Sequence, residues 1–171
     1  MINMKHIKLC LAASIIVGAN IGNVVAGDIG IKATTPFAKV SSIRDAVKNE
    51  CQLQTKLPHF VNTFASKYGI AVKLKDNVSK KSKGKVLVLE ITGAQGGGGG
   101  AWSGTKSVQV KGELFKNGKS IGNFTANRYS GGGFFAAYKG TCSIMGRCVK
   151  TIGKDIAIWL QHPTKNAHLG D

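Results

Sequence analysis

A β-hairpin that turns at Asn117-Gly118 is the sequence feature that most constrains the fold of this chain. Asn and Gly both tolerate the positive φ angles of a type I′ turn, so this pair between two strand-like runs is the strongest short-range hairpin signal. Before the turn, apolar residues fall at alternate positions, at Val108, Val110 and Leu114. This period of two is typical of a strand with one buried face, and residues 107–129 are therefore predicted to form an antiparallel pair.

Further segments with strand or helix patterns place the hairpin in an α+β domain. Residues 70–75 alternate between apolar and polar side chains, and residues 86–89 are apolar on both faces, which predicts the central strand. Helical spacing of apolar residues marks 57–68 and about 143–160. The predicted fold class is a single α+β domain with a four- to five-stranded, mainly antiparallel sheet and helices packed on one face. Its strands form a meander, the default for short connections, over 70–75, 85–93, 106–116 and 119–130.

The first 26 residues are predicted to be a signal peptide. Lys5 and Lys8 precede an apolar run over residues 9–17, and small residues end the segment before Gly27. The run is too short for a membrane span and no second run follows, so we expect no transmembrane segment in the mature chain. The protein is therefore expected to be periplasmic or secreted.

The remaining chain is predicted to form one domain and a short tail. A chain of 171 residues is long enough for one domain with a substantial core. No internal repeat and no long linker divides it. The predicted domain spans residues 27–163, and residues 164–171, which follow Pro163, are predicted to be a frayed C-terminal tail.

The excess of basic residues points to an anionic partner. The chain has 24 Lys and Arg against 8 Asp and Glu, a formal charge of +16. In the predicted meander, loop 76–85 and the Asn117-Gly118 turn lie at the same end of the sheet. Six lysines gather there as candidate contacts with an anionic partner: Lys80, Lys81, Lys83, Lys85, Lys116 and Lys119. The alternative is a solvated basic surface that only keeps the protein soluble.

The opposite end of the predicted sheet is rich in glycine and aromatic residues. Loops 93–106 and 130–140 meet there. A phosphate-binding loop is not predicted, because Lys106-Ser107 leads into a strand and not into a helix. Four aromatic residues either form an exposed contact patch or fold back over the sheet: Trp102, Phe134, Phe135 and Tyr138.

Three cysteines follow the predicted signal peptide, and an oxidising compartment allows two of them to pair. A continuous helix would hold Cys142 and Cys148 about 9 Å apart, beyond the usual disulfide span of roughly 4.4–6.8 Å. A bridge between them requires the helix to begin after Cys142, which Gly140-Thr141 makes plausible. This bridge is predicted in preference to one from Cys51 to either partner.

The sequence contains no constellation typical of catalysis. It has neither the short spacings of zinc ligands nor a nucleophile elbow, and its few acids do not suggest paired carboxylates. A catalytic Cys–His pair would need a reduced thiol, which an oxidising compartment disfavours. We therefore predict no catalytic residue, no bound metal and no cofactor.

Two segments carry a resemblance to known proteins. The first contains Gly-Gly-Gly-Phe-Phe at 131–135, Thr-Cys-Ser-Ile-Met-Gly-Arg-Cys-Val-Lys at 141–150 and Gly-Lys-Asp-Ile-Ala-Ile-Trp-Leu at 153–160. It resembles the end of small, uncharacterised exported proteins of Gram-negative bacteria, and residues 50–58 resemble an earlier segment of that group. The order of elements is also similar to that of the TolB amino-terminal domain and of lipoprotein activators of peptidoglycan synthases, although the chain lacks a lipobox cysteine. These resemblances imply an exported envelope protein and bring no active site.

We expect a non-enzymatic binding protein whose partner is an anionic envelope component or another envelope protein, and not nucleic acid. The alternative is an inhibitor or immunity-type protein that inserts a loop into an enzyme, and a cell-wall enzyme is the third hypothesis. Binding to a polyanion should weaken steeply with salt, whereas loop insertion should be stoichiometric and less sensitive to salt. The oligomeric state is left open by the sequence.

Overall fold

The computed structural model describes residues 28–39, 41–96, 104–131 and 139–170. The predicted signal peptide, residues 1–26, lies outside this part of the chain. The described residues form six strands and three helices, in the order β1 (Ile29–Lys32), α1 (Asp45–Glu50), α2 (Leu53–Lys67), β2 (Val72–Lys75), β3 (Lys85–Gln95), β4 (Lys106–Lys116), β5 (Lys119–Ser130), α3 (Thr141–Trp159) and β6 (Ala167–Leu169).

The predicted hairpin is confirmed. Strands β4 and β5 pair antiparallel along their whole length. Asn117 (φ 52°) and Gly118 (φ 82°) both adopt the left-handed conformation that a type I′ turn requires. A register shift after Leu114 leaves Ile121 as an extra residue on β5, close to the turn.

The six strands form one mixed sheet in the order β2-β1-β3-β4-β5-β6. The α+β fold class is confirmed, and the central pairs β3–β4 and β4–β5 are antiparallel as predicted. The predicted meander is wrong at its first step, because β1 lies between β2 and β3 and pairs parallel with both. Strands β1 and β6 extend the sheet beyond the predicted four or five strands.

The connection from β2 to β3 runs back along the sheet, because these two strands point in the same direction. Strand β2 ends beside Lys32 and β3 begins beside Ile29, at the opposite end of β1. Loop 76–84 therefore returns to the end of the sheet where β3 starts. The hairpin turn lies at that same end, since Lys85 pairs with Lys116.

Both long helices pack on one face of the sheet, as predicted. The hydrophobic effect drives the burial of alternate strand residues beneath them. The core residues of the sheet include Leu87, Leu89, Ile91, Val108, Val110 and Phe124, and those of α3 include Val149, Ile152 and Ile156. The opposite face of β3, β4 and β5, called the open face below, is polar except at the hairpin end, where it carries Val86, Val88 and Phe115.

The C-terminal tail is not frayed, in contrast to the prediction. Residues Ala167–Leu169 form β6, which pairs parallel with β5. The Asn123 N–H donates a hydrogen bond to the Thr164 carbonyl oxygen at 3.1 Å, and the Asn166 N–H donates to Asn123 Oδ1 at 3.0 Å. These bonds attach the segment after α3 to the edge of the sheet.

The disulfide joins Cys51 to Cys142, so the predicted Cys142–Cys148 bridge is wrong. Helix α3 begins at Thr141, and Cys142 and Cys148 therefore lie in one continuous helix, too far apart to bond. Cys51 lies between α1 and α2, and its Cα is 4.7 Å from that of Cys142. The bond thus ties the start of α2 to the start of α3. Cys148 has a free, buried thiol, and burial raises its pKa, which keeps it protonated.

Candidate functional site

The six lysines selected from the sequence lie at one end of the molecule, here called the lysine end: Lys80, Lys81, Lys83, Lys85, Lys116 and Lys119. Two hydrogen bonds hold its loop and its turn together. The Gly84 N–H donates to Asn117 Oδ1 at 2.8 Å, and the Asn117 N–H donates to the Gly84 carbonyl oxygen at 2.9 Å. The structure thus brings loop 76–84 into direct contact with the hairpin turn.

Three of these lysines form a row across adjacent strands, here called the lysine row. Lys85 pairs with Lys116 between β3 and β4, and Lys116 pairs with Lys119 across the turn. Like charges directly opposite each other on neighbouring strands destabilise a sheet. The lysine row therefore carries an electrostatic cost in the free protein, and a bound anion would reduce that cost.

Lys80 differs from the other five lysines because it contacts the open face. Its Nζ lies 3.4 Å from Glu113 Oε2 and 5.5 Å from the centroid of the Phe115 ring. Phe115 is buried, although it belongs to the open face. Lys80 therefore covers an apolar side chain, and Glu113 neutralises part of its charge. We consider it a weaker contact for a partner than its neighbours.

The remaining lysines of the lysine end carry the positive potential of this surface. Lys81, Lys83, Lys116 and Lys119 are exposed, and Lys85 is half-buried. In the part of the chain that the structure describes, none of these five forms an ion pair with an acid. Clustered cations of this kind raise the local potential and attract anions from a distance.

Replacement of Asn117 by Ala is expected to lower the free energy of unfolding by about 1–2 kcal/mol. The variant places a Cβ-bearing residue without a side-chain acceptor at φ 52° and leaves the Gly84 N–H without its acceptor. Urea unfolding measures the change. Asn117→Gly is the matched control, since it relieves the backbone strain and loses only the hydrogen bond, so its loss should be smaller. Equal stability of Asn117→Ala and wild type would contradict the role of this contact.

The ends of the two glycine-rich loops also lie together, at the other end of the sheet. Gln95 pairs with Ser107, and Lys106 pairs with Ser130. Lys106 is completely buried there. The four aromatic residues proposed as a contact patch lie outside the described residues, so their role stays a prediction: Trp102, Phe134, Phe135 and Tyr138.

The open face is a mainly polar surface that the sequence analysis did not single out. Two shallow depressions of about 410 and 590 Å³ lie on it. Their polar lining comes from alternate residues of β3, β4 and β5, among them Glu90, Gln109, Lys111, Thr125 and Asn127. The sequence carries a signal for this surface, namely the polar residues that alternate with the apolar core residues along each strand. The sequence did not place His168 beside this face, because the residue belongs to the predicted tail. In the structure its Nδ1 lies 3.0 Å from Thr125 Oγ1.

Helices long and apolar enough to cross a membrane are not found among the described residues. Nor do three His, Cys, Asp or Glu side chains come together there as a metal site would need. The expectations of no catalytic residue and no cofactor stay predictions.

The sequence matches no family model and no curated protein. Solved structures that show some similarity include PelC from Paraburkholderia phytofirmans, a dodecamer, at 13% identity over 74% of this chain and 83% of that chain, with a TM-score of 0.44. They also include protein XCC0632 from Xanthomonas campestris, of the family DUF330. Its identity is 13% over 80% of this chain and 84% of that chain, with a TM-score of 0.49. Both come from Gram-negative bacteria, and similarity to TolB stays a prediction. The chain is thus weakly similar in structure to PelC and to a DUF330 protein.

Proposed function

We propose that this protein is exported and that it binds an anionic component of the bacterial envelope through its lysine end, without catalysing a reaction. The observation that carries the proposal is the lysine row, Lys85, Lys116 and Lys119, in which three cations face one another on adjacent strands. An anionic group of the partner replaces this repulsion with attraction. The Cys51–Cys142 disulfide supports export, since such bonds persist in oxidising compartments.

The test compares two triple variants that lose the same charge. The first removes Lys81 and two members of the lysine row, Lys116 and Lys119, all of which are exposed and have no ion pair among the described residues. Lys80 and Lys85 are left in place because Lys80 contacts Phe115 and Lys85 is half-buried. The control removes three exposed lysines elsewhere: Lys39, Lys150 and Lys154. All substitutions are to Gln.

Binding is measured to dextran sulfate and to vesicles that contain phosphatidylglycerol, over a series of salt concentrations. The lysine-end variant is expected to bind about tenfold more weakly than wild type at low salt, because a lysine near an anionic surface contributes about 1 kcal/mol and only some of the three make contact at once. The control variant should bind almost as wild type does. Equal binding by both variants would show that net charge, and not this surface, determines the interaction.

The same salt series addresses the alternative, insertion of a loop into an enzyme. Such binding should saturate at one protein per enzyme and should change little with salt. The described residues do not test this alternative, which stays a prediction.

A further inference from the structure

A crevice lined mainly by apolar side chains opens beside the lysine row. Its volume is about 470 Å³, within the roughly 300–1,000 Å³ typical of small-molecule pockets. The sheet forms one wall and the segments that follow α2 and α3 form the other. Its apolar lining includes Ile29, Leu114 and Ile121 from the sheet and Tyr68, Ile70 and Leu160 from those segments.

Three of these six residues are buried, and the other three leave the lining partly open to water. Tyr68 is 39% exposed, and Ile70 and Ile121 are half-buried. Contact between the exposed part of this apolar lining and water is unfavourable. A ligand that brings apolar surface of its own would therefore gain free energy here.

The lysine row forms the rim of this crevice. Lys85 lines the crevice itself. Lys116 lies two residues beyond Leu114 on β4, so the two side chains project from the same side of the sheet. Lys119 pairs directly with Lys116. Cationic groups and an apolar crevice thus adjoin one another at one end of the molecule.

We propose that this crevice holds the acyl chain of an anionic lipid whose phosphate group lies against Lys85, Lys116 and Lys119. The inference rests on the proposed function and names the class of its partner. A polyanion without an acyl chain would leave the crevice empty, whereas a neutral apolar ligand would leave the lysine row without a counter-charge. An anionic lipid satisfies both surfaces together.

A second copy of this chain is a poorer occupant of the crevice. In a symmetric dimer the same surface meets itself, so two lysine rows would come together. Juxtaposed like charges cost several kcal/mol at an interface. The charge of the rim therefore favours an anionic lipid over self-association.

The experiment uses dodecyl phosphate below its micellar concentration, with inorganic phosphate and dodecyl maltoside as single-feature controls. Isothermal titration calorimetry on the full mature protein should show one dodecyl phosphate bound per chain. The two controls should bind at least about tenfold more weakly, because inorganic phosphate lacks the alkyl chain and dodecyl maltoside lacks the negative charge.

Two variants locate the acyl chain in the crevice. Ile70→Ser with Ile121→Ser removes apolar lining and should weaken dodecyl phosphate binding about tenfold. Ile121→Trp fills the crevice with an apolar side chain and should abolish that binding, so it serves as the second test if the serine variant is unstable. Both variants should bind dextran sulfate as wild type does, because the lysine end is unchanged.

Each outcome decides the proposal. Loss of dodecyl phosphate binding in the two variants, with dextran sulfate binding retained, supports it. Dodecyl phosphate that binds no more tightly than inorganic phosphate, or that binds both variants as it does wild type, overturns it, and so does dodecyl maltoside of equal affinity. In these cases lysine-dependent binding of dextran sulfate would still support the proposed function, which fails separately if that binding is missing or insensitive to the lysines.

Discussion

Removal of the Cys51–Cys142 disulfide is expected to lower the free energy of unfolding by about 2–4 kcal/mol. The bond joins residues separated by 91 positions, so it restricts a large part of the unfolded chain. In the folded state it holds the start of α2 beside the start of α3, the two helices that cover the core. The variant with Ala at both Cys51 and Cys142 tests this in urea unfolding without leaving a thiol that could mispair.

Two controls separate the bond from the side chains that form it. Dithiothreitol should lower the unfolding midpoint of wild type and should leave that of the double variant unchanged. Cys148→Ala, which keeps the bridge, should remain sensitive to dithiothreitol. Non-reducing peptide mapping should find Cys51 linked to Cys142. A peptide pair that links Cys142 to Cys148, or a wild-type midpoint that does not respond to reduction, would show that the assigned pairing is wrong.

Replacement of Gly153 by Ala is expected to lower the free energy of unfolding by about 1–3 kcal/mol, the usual cost of overpacking. Gly153 lies where α3 crosses α2. A Cβ at this position would lie 2.6 Å from Phe60 Cβ and 3.1 Å from the backbone nitrogen of Val61. Since one of these contacts is with backbone, a rotamer change cannot relieve it and the helices must separate. Thermal or urea unfolding measures the loss.

Gly146 on the same helix provides the matched control. A Cβ at Gly146 would meet no described atom within 4 Å. Gly146→Ala should therefore raise the free energy of unfolding by about 0.5–1 kcal/mol, because Ala is a better helix former than Gly. The two substitutions are chemically identical and should differ in sign. A loss of similar size at both positions would mean that α3 does not approach α2 at Gly153 as described.

In the lysine end, one surface combines a structural role with the binding role proposed above. Lys80 covers Phe115 and pairs with Glu113, which stabilises the loop against the sheet. Its neighbours Lys81 and Lys83 are then presented to solvent on a loop that is anchored at Gly84. The proposed partner would thus meet lysines whose backbone is already ordered, so that less conformational entropy would be lost on binding.

Local chemistry explains what the sequence predicted about the lysine end. The turn at Asn117-Gly118 follows from the φ preferences of two adjacent residues, and the flanking strands follow from their own alternation. The candidate lysines come together because the turn and loop 76–84 each adjoin a predicted strand end. The connection from β2 to β3 is not the predicted one, but the end of loop 76–84 still lies beside the hairpin turn. The reason is that Lys85 pairs with Lys116 in either topology.

Only the tertiary structure determined the partners of distant segments. Strand β1 inserts between β2 and β3 through four residues, too few to show a pattern, and a parallel pairing leaves no turn signal between its strands. The disulfide depends on where α3 begins and on how α2 packs against it, so a shift of two residues in the predicted helix start was enough to choose the wrong bridge. The apolar crevice is assembled from β1, β4, β5 and the ends of two helices, and no local pattern brings those surfaces together. Alternation and turn preferences act between neighbours along the chain, whereas these three features arise from burial shared by residues that are far apart in it.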